Sequence, residues 1–198
     1  GGHNQIADFA TGATIGGGWQ NAIQASALFG TIAGGQYNTI SDDAYDSTIG
    51  GGEGNAIAFH AGVCAIAGGG WNQIQPDALQ STIGGGRGNT VGTNTANATI
   101  AGGISNTTSG AFSTIGGGGF NFARGYAATV AGGGGFLSEP DGNSAMGDWS
   151  TVSGGRANHA GGEFAVVAGG EGNSAVGRFA VALGGIGNVA RAQFSLAA

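Results

Sequence analysis

The stretch Ala13-Thr14-Ile15-Gly16-Gly17-Gly18-Trp19-Gln20-Asn21-Ala22-Ile23 decides the fold. Across residues 13–16 the pattern runs small, polar, apolar, small, a period of two that reads as a short strand with Ile15 pointing inward. Gly17-Gly18 then turns the chain through backbone angles that glycine adopts at little cost. Two variable residues follow, and Asn21 begins a second short strand whose inward residue is Ile23.

The unit recurs down the whole chain. Asn4, Asn21, Asn38, Asn55, Asn72, Asn89, Asn106, Asn121, Asn143, Asn158, Asn173 and Asn188 follow at steps of 17, then 15, with one step of 22. Six residues before each Asn from Asn21 onward, except Asn143 after the long step, stands an inward candidate: Ile15, Ile32, Ile49, Ile66, Ile83, Ile100, Ile115, then Val152, Val167 and Ala182. Two residues after it runs a second, from Ile23, Ile40, Ile57, Ile74 and Val91 to Thr108, Ala123, Ala145, Ala160, Ala175 and Ala190. A repeat this short cannot form helix pairs or propeller blades, which need roughly 33–50 residues. The reading is therefore all-β, a single parallel β-solenoid of about twelve coils over residues 1–198. An Asn at one corner of every coil is expected to bond the neighbouring coil and the next Asn, as a ladder from Asn21 to Asn188.

The gauge changes along the chain. From Asn to the next inward Ile is 11 residues through Ile100 and 9 from Asn106 onward, which divides wide coils (1–105) from narrow ones (106–198). The inward filler after the Asn shrinks at the same place, as close packing requires. Narrow coils also carry Gly at the fourth position after Asn (Gly110, Gly125, Gly147, Gly162, Gly177) and an aromatic at the sixth (Phe112, Trp149, Phe164, Phe179, Phe194). Period two places that aromatic on the outward face with the column Thr14, Thr31, Thr48, Ala65, Thr82, Thr99, Thr114, Thr129, Thr151, Val166, Val181 and Ser195. Phe112, Trp149, Phe164, Val166, Phe179 and Val181 are the expected interface with another copy, because an apolar outward stripe asks for a partner.

Composition excludes several classes. Lys is absent, Arg numbers five and the net charge is −6, so nucleic acid is not an expected partner. No apolar run approaches the roughly 20 residues that cross a membrane. Cys64 stands alone in a column of small residues (Ala13, Gly30, Ser47, Ser81, Ala98), which predicts a buried thiol and leaves no intrachain disulfide. The chain lacks an initiator Met and a signal peptide and is in phase at Asn4, which reads as a mature product or an excerpt.

Sites are sparse by comparison. Gly51-Gly52-Glu53-Gly54-Asn55 lacks the Asp of calcium-binding β-rolls, and the Gly runs precede no helix, so neither calcium nor a phosphate loop is expected. His3, His60 and His159 share no column, and no metal or other cofactor is expected. Asp42, Asp43 and Asp46 form either a weak cation site or a solvated edge. Trp19, Tyr37 and Trp71 occupy the variable pair between Gly-Gly and Asn, an outward corner where aromatics can stack on sugars or protein. Residues 136–142 account for the longest step between Asn residues, and Phe136, Leu137 and Glu139 in this insertion are candidate ligand contacts.

Late coils such as Gly172-Asn173-Ser174-Ala175-Val176-Gly177-Arg178-Phe179-Ala180-Val181-Ala182-Leu183-Gly184 resemble the head repeats of trimeric autotransporter adhesins. That resemblance extends from about Asn106 to the end and is looser before it. Similar T-I/V-G-G-G-x-x-N repeats also look like those of tail-fibre-like surface proteins. The resemblance implies a left-handed parallel β-roll, three chains side by side, and an extracellular, cell-surface or virion-fibre location. It departs from the family in its longer repeat and in the absence of stalk, neck or anchor. The expected function is a non-enzymatic structural or adhesive rod, partnered by itself as homotrimer or filament and by a surface receptor or glycan. End-to-end stacking into a filament and ice binding by the Thr column are the alternatives.

Overall fold

The computed structural model describes residues 2–135 and 141–198, and the chain is an all-β parallel β-solenoid built from strands of two residues. It divides into two compact units, Gly1–Ala101 and Gly102–Ala198. In the first unit one sheet runs Gln5–Ile6, Ala22–Ile23, Thr39–Ile40, Ala56–Ile57, Gln73–Ile74, Thr90–Val91, and the other Thr14–Ile15, Thr31–Ile32, Thr48–Ile49, Ala65–Ile66, Thr82–Ile83, Thr99–Ile100. Partners lie one wide repeat apart, as in Thr31↔Thr48 and Ile32↔Ile49. The second unit pairs its strands in the same way at the shorter repeat, as in Ser174↔Val189 and Val166↔Val181. The insertion stretches one step there without shifting register, since Phe122 pairs Ser144 and Thr129 pairs Thr151. Isolated parallel bridges form a third ladder at the corner before the Asn: Trp19, Gln36, Glu53, Gly70 and Arg87 in the first unit, and Ile104, Gly119 and Gly134, then Arg156, Glu171 and Ile186, in the second.

The outward column ends differently from the period-two reading: Val181 pairs Leu196, so Leu196 and not Ser195 continues the Thr/Val line. Ser195 belongs to the small column one residue earlier, and its hydroxyl bonds the Ala192 carbonyl at 2.7 Å.

A two-residue strand contributes few ladder bonds, so the corners must hold the coils together. In the first unit Asn38, Asn55, Asn72 and Asn89 are fully buried. The backbone N–H of Asn72 donates to Asn55 Oδ1 at 3.0 Å, and Asn89 repeats the bond onto Asn72. Asn72 Nδ2 donates to the carbonyls of Gly68 and Gly86, both at 3.0 Å. The ladder of the second unit is built alike, with Asn158 N–H on Asn143 Oδ1 and Asn173 N–H on Asn158 Oδ1. Every donor and acceptor of the amide is thereby used, which is what makes a buried Asn tolerable. The carbonyls approach so closely because the corner lacks a side chain. Gly52 has φ +91°, and a Cβ on it would strike the Gly69 carbonyl.

Core filling follows the gauge. In wide coils both sheets send Ile inward, and a third buried column, Ala27, Ala44, Ala61, Ala78 and Thr95, fills the extra width. The Asn-based register does not reveal that column as core. In narrow coils the extra alanine is gone, the filler after the Asn is Thr108, Ala123, Ala145, Ala160 or Ala175, and all are buried. The glycines peculiar to narrow coils mark the closer approach of backbones: a Cβ on Gly162 would strike the Gly177 carbonyl.

The small column that holds Cys64 shows the consequence of that narrowing. In the first unit Ser47 Oγ donates to the Ala61 carbonyl at 3.1 Å and Ser81 Oγ to the Thr95 carbonyl at 3.2 Å. Cys64 is buried and free, its Sγ donates to the Ala78 carbonyl at 2.9 Å, and burial pushes its pKa up. All three acceptors belong to the extra column. In the second unit the hydroxyls of Ser113 and Ser150 occupy the same small column, are buried and have no partner among the described residues, and Thr108 Oγ1 is likewise unpaired.

Ser81→Ala removes a buried bond and lowers stability, whereas Ser150→Ala removes an orphaned hydroxyl and raises it by about 1 kcal/mol; opposite shifts in urea midpoint are expected. Asn72→Ala deletes the donor to the Gly68 carbonyl and the Oδ1 acceptor of the Asn89 N–H, while Gly86 keeps the Gly70 N–H. Its expected cost is about 3 kcal/mol, at roughly 1–3 per disrupted buried group, read from the same melts.

Candidate functional site

With the inward groups consumed by coil-to-coil bonding, chemistry is confined to the outward columns. The expected ligand contacts separate into two groups. Trp19 lies in the bridge ladder before the Asn, whereas Tyr37 and Trp71 occupy the next position, in left-handed backbone (φ 57° and 59°). All three are about half exposed. Trp19 is tied down: its indole N–H donates to Gln20 Oε1 at 3.0 Å, and its ring meets His3 edge-on at 5.0 Å. Phe136, Leu137 and Glu139 lie outside the described residues.

Trp71 borders an open groove of about 500 Å³, lined also by Gln36, Glu53, Gly70 and Arg87. Gln36, Glu53, Gly70 and Arg87 are successive members of the bridge ladder, so their adjacency follows from the repeat itself. The sequence singles out Trp71 but not these neighbours. The signal for them is their common position in the variable pair.

The aromatics of the second unit do not stand on a strand as period two suggests. Phe112, Trp149, Phe164, Phe179 and Phe194 all have φ between 54° and 59°, at the turn before the strand. A left-handed residue redirects its side chain, and the rings stack on one another along the outward surface, with Phe112, Trp149 and Phe194 exposed. Trp149, Phe164, Phe179 and Phe194 lie 4.8–5.0 Å apart with interplanar angles of 2–7°. That spacing equals one coil step, so a left-handed aromatic in each coil stacks automatically. Where Ala127 interrupts the column, Tyr126 fills in, 5.4 Å from Phe112 and 5.5 Å from Trp149. Phe164 and Phe179 are half-buried, as are Val166 and Val181 two residues further on. The Arg178 guanidinium lies 4.7 Å from the Phe179 ring centre and pairs with Glu163 at 2.8 Å.

The acidic residues of the first unit are spread over successive coils. Asp42 accepts the Ala25 N–H at 2.9 Å, and His60 lies between Asp43 (3.7 Å) and Asp77 (3.4 Å) in one exposed column. Among the described residues no three His, Cys, Asp or Glu side chains are placed to hold a metal ion. His159 sits apart on an outward strand position between Ser144 and Ser174, and partial burial lowers its pKa below the ordinary imidazole range. No family model matches this sequence, and no curated protein resembles it at a significant level.

Because the folded state disfavours charged His159, its stabilising contribution is complete above the unfolded pKa and is lost as pH falls below it. His159→Gln is therefore expected to lose less stability than the wild type between pH 7.5 and pH 5, compared by thermal unfolding.

Proposed function

We propose that the chain is a non-enzymatic structural and adhesive module of an extracellular, cell-surface or virion fibre, associating side by side as a homotrimer and contacting a surface receptor or glycan. The observation that carries this reading is the apolar stripe of the second unit. Val166 and Val181 continue the outward Thr column, and the stacked rings of Phe164 and Phe179 run beside them. The two columns run together through the coils of Val166 and Val181, after Thr114, Thr129 and Thr151 in the earlier narrow coils. Because the rings already bury part of their faces on one another, the stripe is stiff before it meets a partner, and a rigid surface loses little entropy on association. Outward apolar columns on a soluble scaffold mark an interaction face, and parallel copies would present the same stripe to one another. The resemblance of the late coils to trimeric autotransporter adhesin heads supports the same arrangement.

Sedimentation equilibrium is expected to give three times the 18.9 kDa chain mass. Replacing Val166 and Val181 together by Lys should return the monomer without unfolding it, since both side chains point away from the core. A wild-type chain that stays monomeric at tens of micromolar would overturn the trimer.

A further inference from the structure

The corner ladder of the first unit contains a gap that the fold does not require. Its members are Trp19, Gln36, Glu53, Gly70 and Arg87, one per coil. Gly70 differs from the corner glycines in two respects. Its φ lies outside the left-handed region, and an added Cβ would meet nothing nearer than the Glu53 carbonyl, at 3.7 Å. The glycines in the corresponding ladder of the second unit contrast with it: a Cβ on Gly119 would strike the Gly135 carbonyl, and Gly134 has φ +85°. A side chain thus fits at position 70, as it does at Trp19, Gln36, Glu53 and Arg87 in the same ladder, and its omission opens a notch.

The walls of the notch are specific. Glu53 and Arg87 stand on either side, their backbones two coil steps or roughly 9.6 Å apart. Neither has an ion-pair partner among the described residues, and both are exposed. The Trp71 ring lies against Gly54, where an added Cβ would come within 2.7 Å of it. Gly88, next in that column, adds no side chain over the ring, which is 49% exposed. Gln36 completes the lining with an amide that both donates and accepts.

We propose that this notch is a saccharide subsite that takes a neutral pyranose ring. The Trp71 surface offers an apolar platform for the C–H face of the sugar. Around it the Glu53 carboxylate accepts, the Arg87 guanidinium donates and the Gln36 amide does both, which matches hydroxyl groups that are each donor and acceptor. One carboxylate against one guanidinium leaves no net charge to select an anionic or a cationic ligand, which matches a neutral one. The space of about 500 Å³ is within the range of small-molecule clefts. The subsite deepens the adhesive reading by naming a ligand class, and it rests on that reading for its setting.

The test uses the full chain on a multivalent array of neutral and charged glycans, followed by titration of the corresponding methyl pyranoside monitored by tryptophan fluorescence. Gly70→Gln fills the notch and is expected to melt with the wild type while losing binding at least tenfold. Trp71→Ala should lose binding similarly, and Trp19→Ala, on the same ladder but outside the notch, should change it less than twofold. Binding of no neutral glycan overturns the proposal, as does binding that survives Gly70→Gln or Trp71→Ala. Oligomeric mass is measured on the same samples. A trimer that binds sugars independently of Gly70 and Trp71 sinks the notch and leaves the adhesive module standing, whereas a monomer whose sugar binding is lost in Gly70→Gln and Trp71→Ala sinks the side-by-side trimer and leaves the notch standing.

Discussion

A buried asparagine amide, shared between consecutive coils, is the interaction on which the rest depends. Strands of two residues cannot by themselves hold register at the turns. The amide does so because it reaches three places at once: the next coil's backbone N–H through Oδ1, and two glycine carbonyls through Nδ2. The requirement runs both ways. The carbonyls come within reach only where no Cβ intervenes, so the Asn column and the Gly-Gly pair are one device. A buried polar group so completely satisfied imposes a single alignment, since a slip of one residue would orphan all of its partners in every coil at once.

With register held, the units behave as stacks in which each coil contacts chiefly its neighbours. Side-chain columns then become the unit of energetics. The extra alanine of the wide coils fills width and also presents the carbonyls that Ser47, Cys64 and Ser81 use. The narrow coils lose that alanine, and the Ser113 and Ser150 hydroxyls are left unpaired although the residue type is unchanged. The same Ser→Ala change in the same column is therefore expected to have opposite signs in the two units. This is why a residue's identity alone does not give its worth.

The outward columns are free of those demands and are where the two units diverge in character. The second unit fills its outward positions with a stacked aromatic line beside valines, a surface suited to another copy of the chain. The first fills them largely with threonines and with a corner ladder of mixed character, Trp19, Gln36, Glu53, Gly70 and Arg87. In that ladder a sterically unconstrained glycine beside an exposed indole is a local departure from the repeat. Departures of this kind are informative because the repeat states what the fold would accept at the same place.

Much of this was legible in the sequence because a solenoid turns sequence period into spatial adjacency. The wide repeat places Ile32, Ile49 and Ile66 in one inward line and puts Cys64 among small buried residues. Composition and period also sufficed to identify an all-β solenoid. Tertiary structure alone decided where side chains point at the corners. Phe164 and Phe179 fall two residues before an outward valine, yet left-handed backbone at the turn swings them into a stack. The alanine column of the wide coils, Leu196 in place of Ser195, and the spare room at Gly70 were decided in the same way. The period specifies which residues are neighbours, while the dihedral angles at a corner, set by packing against the coils on either side, specify what those neighbours do to each other.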